Sequence, residues 1–263
     1  MLERHREIYR MLVDRENPNK TPFEISALET KIQTATEALW RTGEILLDRP
    51  AVESEVRGML HYLSNVFPHV LVSMPDRFRQ SWEWAFPGET VPPLPRLTFG
   101  SWVGGDRDGH PFVTTDVTRS ALESLRAAAI GVLREHLTSL ATQLSITDLG
   151  QPAPARVYEQ IAMFERSVPQ DMAREPWRRC VHTMIERLPQ PGIKTADVRT
   201  YNRSWELAYD LRFLGDALRE CGASAVARDH VAPLEYLAEC FGFTARPWIF
   251  DRTAPSTIAR SVN

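Results

Sequence analysis

Apolar residues recur every three to four positions along most of this chain, the spacing that lines one face of a helix. Residues 1–15 place Leu2, Ile8, Tyr9, Leu12 and Val13 in that pattern, and Glu16-Asn17-Pro18-Asn19-Lys20 breaks it. Thr21-Pro22-Phe23-Glu24 then reads as a helix start: Thr21 caps, Pro22 suits the first helical position and Glu24 closes a capping box. The stripe Ile25, Leu28, Ile32, Ala35 and Leu39 predicts a helix running to Leu47. Pro50 opens another, with Val52, Val56, Leu60, Leu63 and Val66 on one face, and Pro75-Asp76 a shorter one carrying Phe78, Trp82 and Phe86. Trp82 and Trp84, either side of Glu83, are expected to pack between helices.

The pattern changes at Pro87–Pro95, a stiff proline-rich connector. Leu97–Val103 follows as a short strand candidate. Helical spacing returns after Val113-Thr114-Thr115-Asp116, which supplies caps and an early acid for a long helix through Val117, Leu122, Leu125, Ala129, Val132, Leu137, Leu140 and Leu144. Gly150–Pro154 is a loop. Further helices are predicted over 155–167, 173–188, 195–220 (ended by Gly222) and about 223–240. The fold class implied is mainly α.

Composition narrows the function classes. The 263 residues are 43% hydrophobic, enough for a sizeable core, and the net charge is −3 with both signs interspersed, so nucleic acid is not the expected partner. No apolar run approaches the ~20 residues that cross a bilayer, so no membrane partner is expected. The three cysteines, Cys180, Cys221 and Cys240, show no CxxC spacing, which argues against a disulfide framework or zinc knuckle and for a reducing cytoplasm. None of the seven histidines has HExxH or other metal spacing, and no metal ligands are assigned. His136 and His182 fall in helical segments and read as structural or surface residues; His110 alone has a positional case for function.

That case comes from the loop it adjoins. In Phe99-Gly100-Ser101-Trp102-Val103-Gly104-Gly105-Asp106-Arg107-Asp108-Gly109-His110-Pro111, glycines surround an arginine that lies between two aspartates. One reading is a tight connection, with glycines at positive φ and aspartates closing local turns. The other is an anion site, where Arg107 offers a bidentate fork that lysine cannot reproduce and Asp106 and Asp108 orient it. Asp106 and Asp108 could instead offer oxygens to Mg²⁺, although the intervening cation argues against it. Trp102 reads as a core anchor or a stacking surface. A P-loop is excluded because no Lys-Ser/Thr follows the glycines, and a dinucleotide fingerprint by the glycine spacing.

The same segment resembles the FGSWxGGDRDGNP signature of the bacterial-type phosphoenolpyruvate carboxylase family. Val113-Thr114 and Val117-Thr118-Arg119 are similar to its continuation, Leu39-Trp40-Arg41-Thr42-Gly43-Glu44-Ile45 to its LWRTDEI, His5-Arg6-Glu7-Ile8-Tyr9 to a segment near its first catalytic motif, and Phe241-Gly242-Phe243 to the start of its FGFHxxxLDIR strand. His110 stands where the signature has Asn, and Gly43 where it has Asp. The resemblance implies an internal, N-terminal-half piece of an enzyme that joins phosphoenolpyruvate and bicarbonate to give oxaloacetate and phosphate with Mg²⁺. It implies a helical fold around a β/α (TIM-like) barrel, of which this chain holds one or two strands, and a homotetramer. Arg107 becomes the expected catalytic residue, holding bicarbonate or carboxyphosphate. Trp102, Gly104, Gly105, Asp106, Asp108, Gly109 and His110 become its substrate-binding surroundings.

The resemblance also places the family's TAHPTE motif just before Met1, and its FHGRGG motif and acidic Mg²⁺ ligands beyond residue 263. The isolated chain is therefore expected not to turn over; the alternative is a non-catalytic helical interaction module derived from the enzyme. Residues 1–243 form the family-like region. After Phe243 the likeness stops, yet suitable codons read one base out of phase spell the family's expected continuation. Residues 244–263 are thus expected to be an out-of-frame tail.

Overall fold

The computed structural model describes residues 2–41, 52–100, 103–105, 113–165, 172–190 and 199–243. The chain divides into two compact units at Pro50/Ala51. The predicted end of the second helix at Leu47 and the predicted helix start at Pro50 lie outside the described residues, as does the whole tail 244–263.

The first unit is a pair of helices, α1 (Leu2–Arg15) and α2 (Pro22–Trp40). The start of α2 has all three expected devices. The Thr21 hydroxyl accepts from the Glu24 N–H at 3.3 Å, the Glu24 carboxylate accepts from the Thr21 N–H at 2.8 Å, and Pro22 occupies the first turn. These bonds, that of the Thr21 N–H foremost, hold the Glu24 carboxyl below its usual range. The ion pair Arg15–Glu29 joins the two helices and Lys20–Asp14 ties the connector to α1, both at 3.0 Å. No residue of α2 is buried, and Phe23 and Trp40 are exposed.

The second unit contains α3 (Val52–Asn65), α4 (Phe67–Ala85), α5 (Thr115–Gln143), α6 (Ala155–Phe164), α7 (Pro176–Glu186), α8 (Ser204–Glu220), the single turn α9 (Ser224–Val226) and α10 (Ala232–Phe241). Helix α5 is the spine, packed on α3 and α7, while α10 packs on α4 and α8. Leu133, Leu137, Leu144, Val157, Met184, Leu207, Leu211 and Leu237 are fully enclosed. Each such side chain contributes about 1.5–3 kcal/mol of burial. Among the described residues no strand forms. Leu97–Gly100 has no regular structure and Val103 opens a turn. A strand must pair its backbone groups with a neighbouring strand, and none lies alongside among the described residues.

Several helix boundaries differ from the sequence pattern: α6 stops at Phe164 and α7 spans only Pro176–Glu186, short of the predicted 155–167 and 173–188, and three further differences have clear causes. Helix α4 begins at Phe67, and Pro75 lies inside it rather than at its start. Pro68 in the first turn is the true start signal. The missing Pro75 N–H, a loss of about 3 kcal/mol in an isolated helix, is outweighed here by packing of the fully buried Leu71 and of Val72 and Met74 on the core. Helix α8 begins at Ser204, because the Glu206 carboxylate accepts from the Asn202 and Arg203 N–H groups and stops the helix there. At its other end Gly222, at φ +79°, completes a Schellman cap: its N–H reaches the Arg219 carbonyl and that of Ala223 reaches Leu218, both at 2.9 Å. The last predicted helix is interrupted by a π turn, Ala227–Val231, where the Ala232 N–H bonds the Ala227 carbonyl. Pro233 follows at once, and the wider turn accommodates a ring that has no N–H for the preceding turn. Trp84 does not pack between helices: it is 86% exposed, while Trp82 meets Phe86 at a tilt, 4.4 Å between ring centroids.

Candidate active site

The loop singled out in the sequence is described at its two ends. Val103, Gly104 and Gly105 form its incoming end and Val113 its outgoing end; Trp102, Asp106, Arg107, Asp108, Gly109 and His110 lie outside the described residues. Three successive anchors fix the incoming strand of chain. The Tyr236 hydroxyl of α10 donates to the Pro95 carbonyl at 2.9 Å. Phe99 stacks on Phe67 at 4.9 Å and meets Phe241 edge-on at 6.0 Å. Val103 then packs against a small cluster of Val52 and Val56 from α3 and Ala121 from α5. The outgoing Val113 packs on that same cluster, with Leu60 and Val117. Both ends of the glycine loop therefore rest on one apolar seat.

Gly104 is the closest contact in that seat. Its φ is +77°, a backbone state that side chains disfavour, and a Cβ built on it would lie 2.7 Å from the Ala121 Cβ and 3.6 Å from Val56 Cγ2. No residue but glycine fits. Gly104 has the positive φ that the tight-connection reading expects and meets two helices, while the aspartate turns of that reading and the arginine of the anion reading lie outside the described residues.

The loop runs into the amino end of α5, a helix of 29 residues. The Thr114 hydroxyl accepts from the Val117 N–H at 3.3 Å, as the sequence predicts. Helix N–H groups not used by the cap make this end electropositive. Beside the seat, α3 and α5 enclose a cleft of about 150 Å³ with an apolar floor of Val56, Leu60, Val117 and Ala121 and a rim that includes Glu53 and Arg57.

Other polar groups are structural or lie apart. Arg187 pairs with Asp210 between α7 and α8, and the Tyr201 hydroxyl donates to the same carboxylate at 2.6 Å. The guanidinium is sandwiched by Phe164 (3.7 Å) and Tyr201 (4.1 Å). Burial pushes the Asp210 carboxyl up, against the opposing pull of Tyr201 and Arg187. The buried Cys180 thiol is pushed up to about 12 by desolvation, which suits a packing role rather than a nucleophile. A second cavity, of about 200 Å³, is lined in part by His136, His230 and Asp229. Burial, with a smaller push from His69, lowers the His136 pKa. Among the described residues no group of three His, Cys, Asp or Glu side chains could hold a metal ion.

The anchors Phe99 and Tyr236 were not singled out in the sequence. Phe99 opens the glycine segment, but nothing local shows that its partners lie on α4 and α10.

Residues 1–246 match the sequence profile of phosphoenolpyruvate carboxylase. The chain belongs to the phosphoenolpyruvate carboxylase family. It is 31% identical to the phosphoenolpyruvate carboxylase of Methylorubrum extorquens over 93% of this chain and 28% of that protein. It is 32% identical to that of Nocardia farcinica over 84% of this chain and 25% of that protein, and 31% identical to that of Chromobacterium violaceum over 94% and 28%. The chain thus spans about a quarter of the length of the curated relatives it matches. No helix among the described residues is long and apolar enough to cross a membrane.

Proposed function

We propose that this chain supplies the oxyanion-holding loop of a phosphoenolpyruvate carboxylase, which converts phosphoenolpyruvate and bicarbonate to oxaloacetate and phosphate. In this reading the enzyme is a cytoplasmic homotetramer that feeds the tricarboxylic acid cycle. The observation that carries the reading is the docked root of the glycine loop in a chain of this family: Gly104 is pressed on Ala121, with Val103 and Val113 on one seat.

A fixed root gives Arg107 a defined origin. Its guanidinium forks two N–H groups toward the oxygens of bicarbonate or carboxyphosphate and holds their charge during transfer. Asp106 and Asp108 hold the fork's orientation, the glycines allow close approach of the backbone, and Trp102 and His110 flank the anion. The amino end of α5 adds a field of the same sign. Mg²⁺ is the proposed ion of the complete enzyme. The family resemblance places its acidic ligands beyond this chain, and no step here runs through it. Leu97–Val103 is proposed to pair as a barrel strand once its neighbours are present.

Residues 1–243 are proposed as the family-like part and 244–263 as an out-of-frame tail; the family match ending at residue 246 supports that division. Sequencing the gene checks it: an intact frame with no LDIR-like reading in the neighbouring frame contradicts the tail.

The direct test is a hybrid in which residues 1–243 replace the matching segment of the Methylorubrum extorquens enzyme. We expect oxaloacetate formation that requires phosphoenolpyruvate, bicarbonate and Mg²⁺, and none from the isolated chain. A folded hybrid without turnover would overturn the reading. It would favour the second one, a non-catalytic interaction module, which the exposed Phe23, Trp40 and Trp84 support.

A further inference from the structure

We infer that Val56 of α3 is a positioning residue for the glycine loop, acting through the Gly104 seat without touching the reactant. The inference deepens the proposed function and rests on it.

The geometry is specific. Val56 Cγ2 lies 3.6 Å from where a Gly104 Cβ would sit, and the Ala121 Cβ closes the other side at 2.7 Å. The seat's buried members are few: Val52, Val56 and Ala121, at 5%, 8% and 4% exposure. Its remaining wall comes from Leu60, Val103, Val113 and Val117, which are only partly buried. Val103 and Val113 are the two ends of the loop. The position of Val103, Gly104 and Val113 is therefore set by van der Waals contact with α3 and α5, and Val56 is the α3 side chain nearest the left-handed turn.

Dispersion contacts fall off within an ångström, so removing two methyl groups at Val56 leaves the turn without a wall on that side. The large core beneath α5 is a separate cluster, built on Leu133, Leu137 and Leu140. A change at Val56 is thus predicted to loosen the loop root more than it loosens the molecule. A displacement on the order of 1 Å in a positioning element is enough to cost catalysis up to ~100-fold.

The test compares Val56→Ala with Val132→Ala. Val132 is also buried, at 5% exposure against 8% for Val56, but belongs to the main core cluster. Both lose a similar volume, so a merely structural role predicts the same result for both. In this chain, hydrogen exchange at the Gly104, Gly105 and Val113 amides is expected to speed up about tenfold in Val56→Ala and to stay unchanged in Val132→Ala. In the hybrid enzyme, Val56→Ala is expected to raise KM for bicarbonate about tenfold while KM for phosphoenolpyruvate is unchanged. Val56→Ile, which keeps the β-branch, is expected to retain the parent value. Equal exchange in the two alanine variants would overturn the inference, whether or not the hybrid folds. If Arg107→Lys leaves bicarbonate use unaffected, the proposed function fails instead. If Arg107→Lys impairs it and Val56→Ala behaves as Val132→Ala does, the positioning role alone fails.

Discussion

The main core and the loop seat share helices α3 and α5 yet are built on opposite principles. Among the described residues the core joins seven helices, α3 to α8 and α10, around large side chains such as Leu133, Leu137, Met184, Leu211 and Phe241, all at 1% exposure or less. The seat has three buried residues, none larger than valine, and its tightest contact is made by the absence of a side chain at Gly104. The first region is suited to holding the fold and the second to holding one short segment in one place. Stability and loop position are therefore expected to respond to different substitutions.

The largest effect should come from the core. Leu137→Ala is expected to cost about 2–5 kcal/mol in chemical denaturation. It should leave amide exchange at Gly104 and Gly105 close to the parent when measured below the transition. A matching loss of loop protection would merge the two regions into one.

Gly104→Ala follows. Overpacking against Ala121 is expected to cost about 1–3 kcal/mol, with about 1 more for the left-handed backbone. Exchange at Val113 should rise as well, because both ends of the loop use the same seat. Gly131 sharpens this result. It lies on the same helix α5, and a Cβ there meets nothing within 4 Å. Gly131→Ala is expected to raise stability by about 0.5–1 kcal/mol through helix propensity alone. Two Gly→Ala changes of opposite sign, measured in one urea series, would separate the seat from ordinary helix.

The smallest effect concerns pH. Burial holds the His136 pKa below 6.5 in the folded chain. The folded state therefore favours neutral imidazole. This contribution is fully present above the unfolded value and is lost as pH falls through 6.5 toward the folded pKa. His136→Gln is expected to reduce the drop in stability between pH 7.5 and 5.5; an unchanged drop would assign it to other groups.

Much of this arrangement is legible along the chain because it is local. The Thr21–Glu24 capping box, the Thr114 cap and the Gly222 stop each depend on residues a few positions apart. The pattern misleads at Pro75, where packing of Leu71 overrides local propensity, and before Ser204, where Glu206 caps backward onto Asn202. The glycine segment is legible as a loop, and its family likeness follows from its residues. Its anchoring is not, because Phe99, Phe67 and Phe241 are brought together only by the packing of α4 and α10, and Gly104 meets Ala121 only across two elements. Leu97–Val103 carries the composition of a strand, but pairing needs a neighbour that no local signal supplies.

Steady-state kinetics of Arg107→Lys in the hybrid enzyme probe whether Arg107 holds an oxyanion, as proposed. A single ammonium keeps the charge but loses the fork. The value of kcat/KM for bicarbonate is expected to fall at least ~100-fold with the thermal midpoint unchanged. Parent-like kcat/KM in a folded Arg107→Lys hybrid would contradict it.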